Sequence, residues 1–454
     1  MSRPNGLTSI AVCVVVVILG PVVVARGEDR RVPGDYPTIQ AAIEAAQDGD
    51  QVILAVGTYS GEGNVNVDLQ GKALIIRSTD PADSAVVAAT IIDCQGSPGE
   101  SRRFLQLNCG VAEPVSGLDG LTIRGASSAE GAVVIDYYSY ATIRRCVIAG
   151  NTGSGIYAQP YSMPTIANCR IEENTGALSG GGICLTAECS AIIEGCLIRG
   201  NSAEAGGGIF SSNSWPEISN SEISGNYTSG QGGGVCTEDS GLLLLNCTLA
   251  ANEAQRGGGL YGLSNVYMDA VEVRNSVIAS NVAGTGPQVA LETAVVQPAD
   301  DTLIVAYSAI EGGQPSIVVP PGWVLDWAEG NLAAGVGPLF VDAAGRNYQL
   351  RAGSPCINAG DPALDYTGQT DAAGQARLFG RAVDIGAYEA VVIGLVGDIN
   401  GDGRVNVYDL HRLARSWNKI QGQEGYDPAA DLNGDGKVDI LDLHILAPNF
   451  NKTA

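Results

Sequence analysis

The feature that most constrains this chain is a phrase, Ile-x-x-(Cys/Ser)-x-Ile-x-x-Asn, that recurs through residues 141–281. It ends at Asn151, Asn174, Asn201, Asn226, Asn252 and Asn281. Three positions before each Asn stand Ile148, Ile171, Ile198, Ile223, Leu249 and Ile278, and eight before stand Ile143, Ile166, Ile193, Ile218, Leu244 and Val273. A period of roughly 25 residues means a solenoid, a propeller or an array. The apolar segments are too short for helical i, i+3, i+4 spacing. They are β-branched and bounded by Gly and Asn, which is strand-and-turn chemistry. One period therefore predicts three short strands and three turns, one coil of a parallel β-helix. Coils stacked at ~4.8 Å place equivalent side chains in ladders. Asn at the phrase end is expected to take a left-handed bend and pass amide hydrogen bonds along the stack. A second Asn ladder runs through Asn168, Asn220, Asn246 and Asn275, and glycine runs at 180–182, 206–208, 232–234 and 257–259 keep register at the third turn.

Residues 1–27 read as an export signal: Arg3 is positive, 7–24 is almost wholly apolar, and Ala25-Arg26-Gly27 offers a cleavage site. An uncleaved anchor is the alternative, since the stretch nears the length of a membrane span. Pro21 and the small-x-small site favour cleavage, leaving Glu28 first. A net charge of −24 excludes nucleic acid as a partner, because little here neutralises phosphate. Eleven cysteines in an exported chain raise the question of disulfides. Cys146, Cys169, Cys196 and Cys247 share a slot with Ser221 and Ser276, which predicts small inward side chains instead. Cys184–Cys189 and Cys94–Cys109 are pairs the spacing allows. Both histidines lie beyond residue 390, so residues 28–390 hold no Ser-His-Asp or Cys-His system.

The start of the folded part, Asp35-Tyr36-Pro37-Thr38-Ile39-Gln40-Ala41-Ala42-Ile43 with Gly57-Thr58-Tyr59, resembles that of exported right-handed β-helix proteins of the pectin-lyase-like superfamily. The stretches Gly337–Asp342, Gly353–Asp361 and Val383–Glu389 resemble the closing segment that follows such helices. The resemblance implies an all-β, right-handed parallel β-helix over residues 28–315 with a helical N-terminal cap, closed by residues 316–392. The fold hosts enzymes and binding proteins alike. A carboxylate pair for glycoside hydrolysis is not diagnosed by spacing, since any two stacked acids stand near the required ~5–5.5 Å. Tyr157, Phe210 and Tyr261 recur on alternate coils: facing outward they offer rings to sugars, facing inward they are core.

The sharpest chemistry comes last. In 398–409, oxygen side chains fall at loop positions one, three, five, nine and twelve: Asp398, Asn400, Asp402, Asn406 and Asp409. The carbonyl of Arg404 would serve at seven, and Gly403 makes the turn at six. The pattern returns as Asp431, Asn433, Asp435, Lys437, Asp439 and Asp442. Hard oxygen ligands in this order suit two calcium ions, one per loop. Each loop leads into a short helix, with Leu410, Leu413 and Trp417 on one apolar face and Leu443, Leu446 and Phe450 on the other. Residues 393–454 resemble a type I dockerin. The resemblance implies calcium-dependent attachment to a cohesin-like or other surface protein. Val407-Tyr408 and Ile440-Leu441 occupy the recognition positions, where many members carry Ser-Thr. A calcium-stapled cap on the solenoid is the competing reading. The expected function is binding or structural, in a secreted or cell-surface protein with polysaccharide as one candidate ligand. The alternative is a polysaccharide-degrading enzyme, a polyuronate lyase or glycoside hydrolase, on the same scaffold.

Overall fold

The computed structural model describes residues 27–453 apart from 98, 109–115, 177, 266–269, 295–300, 352, 380–381, 391–396, 401–402 and 434. The proposed leader and Asp402 lie outside the described residues. Three parallel sheets run along one axis, of twelve, ten and ten strands, with a four-stranded strip beside them. Each coil visits the sheets in turn. One coil takes Ala141–Arg144, Val147–Ala149 and Thr152–Ala158 before returning to Thr165–Ala167. The ladders keep the register read from the sequence. Ile143 pairs with Ile166, which pairs with Ile193, and Ile148 with Ile171 and then Ile198. These side chains are fully buried in one continuous core. Each contributes about 1.5–3 kcal/mol by leaving water, so the repeat itself supplies the stability.

The Asn ladder is built as expected in its hydrogen bonds but not in its backbone. Asn174 Nδ2 donates to Asn201 Oδ1 at 3.0 Å, Asn201 to Asn226 at 3.0 Å, and Asn226 to Asn252 at 2.9 Å. The left-handed bend falls one residue earlier, on Gly150, Glu173, Gly200, Gly225, Ala251 and Ser280. Displacing the bend leaves the Asn side chain free to turn inward, where its amide also caps a strand carbonyl such as Ile171 O at 2.8 Å. The second ladder does take the bend itself, at Asn168, Asn220, Asn246 and Asn275.

The Cys/Ser slot is buried throughout, and every described cysteine is a buried free thiol, Cys94, Cys184 and Cys189 included, while Cys109 lies outside the described residues. Cys196 Sγ donates to Glu194 O at 3.3 Å, the bond that Ser221 Oγ makes to Ser219 O at 2.7 Å. At the N-terminal end the helix Ile39–Ala45, capped by Thr38, buries Ile39, Ala42 and Ile43 against the first coil. An apolar plug of this kind covers the open end of the stack.

The segment after the last coil turns back over the outer face of the second sheet. Gly386 N–H donates to Asn275 O at 2.7 Å, and Ala387 N–H to Thr248 Oγ1 at 2.9 Å. Tyr388 hydroxyl donates to the fully buried Glu222, which also receives Arg199 Nε at 2.7 Å and Ser224 Oγ at 2.6 Å. Leu350, Cys356 and Ile385 pack on Val277, Ala279 and Ala309. Within the segment Arg377 is wholly buried, donating through Nη2 to Asp384 O at 2.9 Å. Burial pushes Asp384 and Glu389 up, each reinforced by a neighbouring acid. Among the described residues no helix is long and apolar enough to cross a membrane.

Candidate functional site: the C-terminal calcium loops

The two helices of the C-terminal module are Val407–Arg415 and Ile440–Leu446. Their start is set by the loops themselves. Asn406 accepts from Tyr408 N–H and Asp439 from Leu441 N–H, each at 2.8 Å. Asp409 and Asp442 reach back to the N–H groups of Asn406 and Asp439, completing a capping box in each repeat. Ninth and twelfth loop positions are therefore also helix caps, which ties loop shape to helix formation.

Asp409 and Asp442 are fully buried. Asp409 Oδ1 accepts Asn400 N–H at 2.9 Å, and Asp442 Oδ1 accepts Leu432 N–H at 2.7 Å, so each twelfth residue closes its loop from the far side. The first position closes it from the near side: Asp398 takes Gly403 N–H and Asp431 takes Gly436 N–H, both at 2.8 Å. Asn433 Oδ1 accepts Asp435 N–H at 3.0 Å. The Leu441 N–H holds the Asp439 carboxyl low, aided by the Lys437 ammonium 2.9 Å away.

Among the described residues no three His, Cys, Asp or Glu side chains gather at one point; backbone N–H groups hold the loop carboxylates instead. The donor set is nevertheless entirely hard oxygen, and its charge is felt locally. Tyr426 hydroxyl donates to Asp431 at 2.7 Å and is pushed up to about 12, first by that bond and then by the charges of Asp431, Asp435 and Asp442. A negative field from three carboxylates, with two buried acids closing the loops, fits a hard dication such as Ca²⁺. Asp398, Asn400, the Arg404 carbonyl and Asp409 would hold one ion. Asp431, Asn433, Asp435, the Lys437 carbonyl and Asp442 would hold the other.

The module core is Ile399, Val405, Leu413, Ala430, Val438 and Leu446, with Trp417 and Leu443 packed against it. Leu410 and Phe450, expected on the apolar faces, are exposed instead. Ile399, Val405 and Val438, inside the loops, take their place, because a core this small is filled from the loops outward. His411 and His444 are exposed on the helices. So are Val407 (60%), Tyr408 (69%), Ile440 (49%) and Leu441 (50%), an apolar pair at the same position of each repeat.

The aromatic ladder on the solenoid offers little to a ligand. Phe210 and Tyr261 are buried with Cys184, Cys236 and Ala290 in a cluster separate from the main core, and only Tyr157 keeps part of its ring at the surface. They point away from the coil axis, yet the glycine runs cover them. A Cβ at Gly206 would stand 2.8 Å from Phe210 Cβ, and one at Gly257 2.6 Å from Tyr261 Cβ. Glycine is needed there because the turn has a left-handed φ and lies directly on the backbone and Cβ below it, over Cys184 and Cys236 as well. An open groove of about 420 Å³ lies nearer the N-terminal end, lined by Asn66, Asp68, Arg103, Gln106 and Asn108 among others. Arg103 is paired there with Glu130 at 2.6 Å.

The architecture is that of a parallel β-helix protein with a small two-loop module behind it. Residues 112–278 match the family model described as the right-handed β-helix region, and residues 396–451 that of the dockerin type I domain. The chain is thus a right-handed β-helix followed by a type I dockerin domain. Among solved structures it is similar to pectate lyase Pel9A, at 15% identity and a TM-score of 0.42, covering 77% of this chain and 90% of that one. It is also similar to the PL6 family alginate lyase AlyGC, at 13% identity and a TM-score of 0.28, covering 67% of this chain and 51% of that one. No curated protein matches it.

Proposed function

We propose that the chain is exported by residues 1–27 and held outside the cell by calcium-dependent attachment of residues 393–454 to a cohesin-like module, with the solenoid as the binding body it carries. The observation that carries the reading is the duplicated exposed pair, Val407-Tyr408 and Ile440-Leu441. Each pair sets two apolar side chains in water at the start of a helix whose cap is a calcium-loop residue, an ion-dependent apolar spot of the kind a partner covers. Two ions are expected, one per loop.

Full-length protein passed over immobilised cohesin modules tests this. Retention in calcium, release by EDTA, and loss in the combined variant V407D/Y408D/I440D/L441D are the expected results. Retention that survives EDTA or the four substitutions sinks the attachment reading.

On the solenoid, three acids that point away from the coil axis are engaged by arginines, Glu172 with Arg170, Glu222 with Arg199 and Glu292 with Arg256, which favours binding over catalysis there. The enzyme reading, a polyuronate lyase or glycoside hydrolase, has its best location in the groove around Asp68 and Arg103. Shortening of polygalacturonate or alginate chains by the purified protein, abolished by Arg103→Ala, would establish it.

A further inference from the structure

The turns that lead from the third sheet into the first sheet of the next coil carry one backbone slot in register. Tyr161 N–H donates to Ala187 O at 3.0 Å and Asn213 N–H to Glu238 O at 2.9 Å. The slot is filled by Tyr138, Tyr161, Glu188, Asn213 and Asp239, and all five have a left-handed φ, between 46° and 63°. Asn and Asp tolerate this region because their short side chains hydrogen-bond locally. Tyrosine gains nothing from it, and a bulky residue held there stores strain. Two consecutive coils nevertheless place tyrosine in it.

Those two rings are in the open. Tyr138 is 56% exposed and Tyr161 42%, and they stack with centroids 4.9 Å apart and planes 4° apart. Tyr137, Met163 and Trp215, on the same turns, are exposed as well. In the next coil the slot holds Glu188, so no third ring continues the stack. A half-solvated pair recovers only part of the packing that a buried pair would. Strained backbone, exposed rings and an unfinished stack together point to an occupant from outside the chain.

We infer that this strip binds an uncharged polysaccharide, one sugar ring continuing the Tyr138–Tyr161 stack over Glu188. The apolar C–H face of a pyranose packs on an aromatic ring, while Glu188 and Asn213 beside it can meet hydroxyl groups. Charge selects the class. Glu188, Glu194 and Glu217 are exposed on these turns and strands, and the chain carries −24 overall, so a polyuronate is repelled where a neutral glycan is not. The inference rests on the solenoid being a binding body, and it is independent of the calcium module.

The test uses full-length protein in affinity electrophoresis and calorimetry with soluble β-glucan, xyloglucan, galactomannan and polygalacturonate, with chain length followed in parallel. At least one neutral glycan is expected to bind, with or without EDTA. The double variant Tyr138→Asn/Tyr161→Asn should weaken that binding at least tenfold while its melting temperature holds or rises, since Asn suits the left-handed slot. Failure of every neutral glycan to bind, preference for polygalacturonate, or a fall in melting temperature of the variant overturns the site. Neutral-glycan binding unchanged in the variant also overturns it but leaves the binding-body reading intact. Cleavage of any glycan overturns both.

Discussion

The solenoid and the C-terminal module solve the same problem, a repeat that cannot stand alone, by opposite means. In the solenoid each coil buries Ile on Ile and passes an Asn amide to the next, so neighbouring copies of the same residues hold one another. In the module two copies of a loop each supply oxygen side chains held by backbone N–H groups, and the apolar core is only a few side chains wide. Ladders make stability accumulate with length, whereas the two-loop module, with so small a core, draws it from bound calcium. The difference teaches where each part is vulnerable: the solenoid to a break in a ladder, the module to a chelator.

The sharpest way to test that contrast is chelation. EDTA should abolish the helical signal of Val407–Arg415 and Ile440–Leu446 and release the partner, leaving the solenoid's β signal and melting temperature unchanged. A solenoid that loosens with the module would show that calcium staples both, the competing reading of the sequence. Next in size is Asn201→Ala. It strands Ile171 O and both Asn174 N–H donors, which Asn201 now satisfies, and should lower solenoid stability by about 3 kcal/mol in a urea titration. An effect as small as that of a surface substitution would mean that the ladder amides are replaceable by water.

A smaller effect is expected from pH. Burial raises Glu389 and Asp384 above the ordinary carboxylate range, with Asp371 and the buried Arg377 also facing them. An acid raised on folding stabilises while protonated, so the closing segment should be firmest in mild acid and weaken as pH rises through those values. Melting temperature measured at about pH 5 and about pH 8 should fall by a few degrees; a rise contradicts the sign. Smallest of all is Cys196→Ser, worth under about 1 kcal/mol, because Ser221 fills the same slot one coil on.

Much of the coil geometry was legible because it repeats: register, inward slot and amide ladder all follow from positions that recur. The left-handed bend was misplaced by one residue because Gly, Glu, Ala and Ser share that slot, and no single residue type marks it. Coils before residue 120 carry no such phrase. Their strands, such as Ile75–Ser78 and Thr90–Asp93, are separated by the helix Ser84–Ala89, which masks the period. The fate of the aromatic ladder depended on which turn folds over it, and alternation along a strand does not reveal that. The return of the closing segment was likewise hidden, since it joins Asn275 to Tyr366 and Glu222 to Tyr388 across long separations. The two loop–helix repeats were the clearest case, because the residues at the first, ninth and twelfth loop positions themselves close the loop and cap the helix.

That returning segment also decides where a pull would be felt. A chain tethered by its C-terminal module and tugged from there loads the backbone just after Glu389. The nearest anchorage is not the last coil, whose exposed edge could be stripped off strand by strand. It is Tyr388 and Ala387, fastened to Glu222 and Thr248 in the middle of the stack. Tension therefore enters across several coils at once, in shear against the sheet, and the terminal coils sit outside the loaded path.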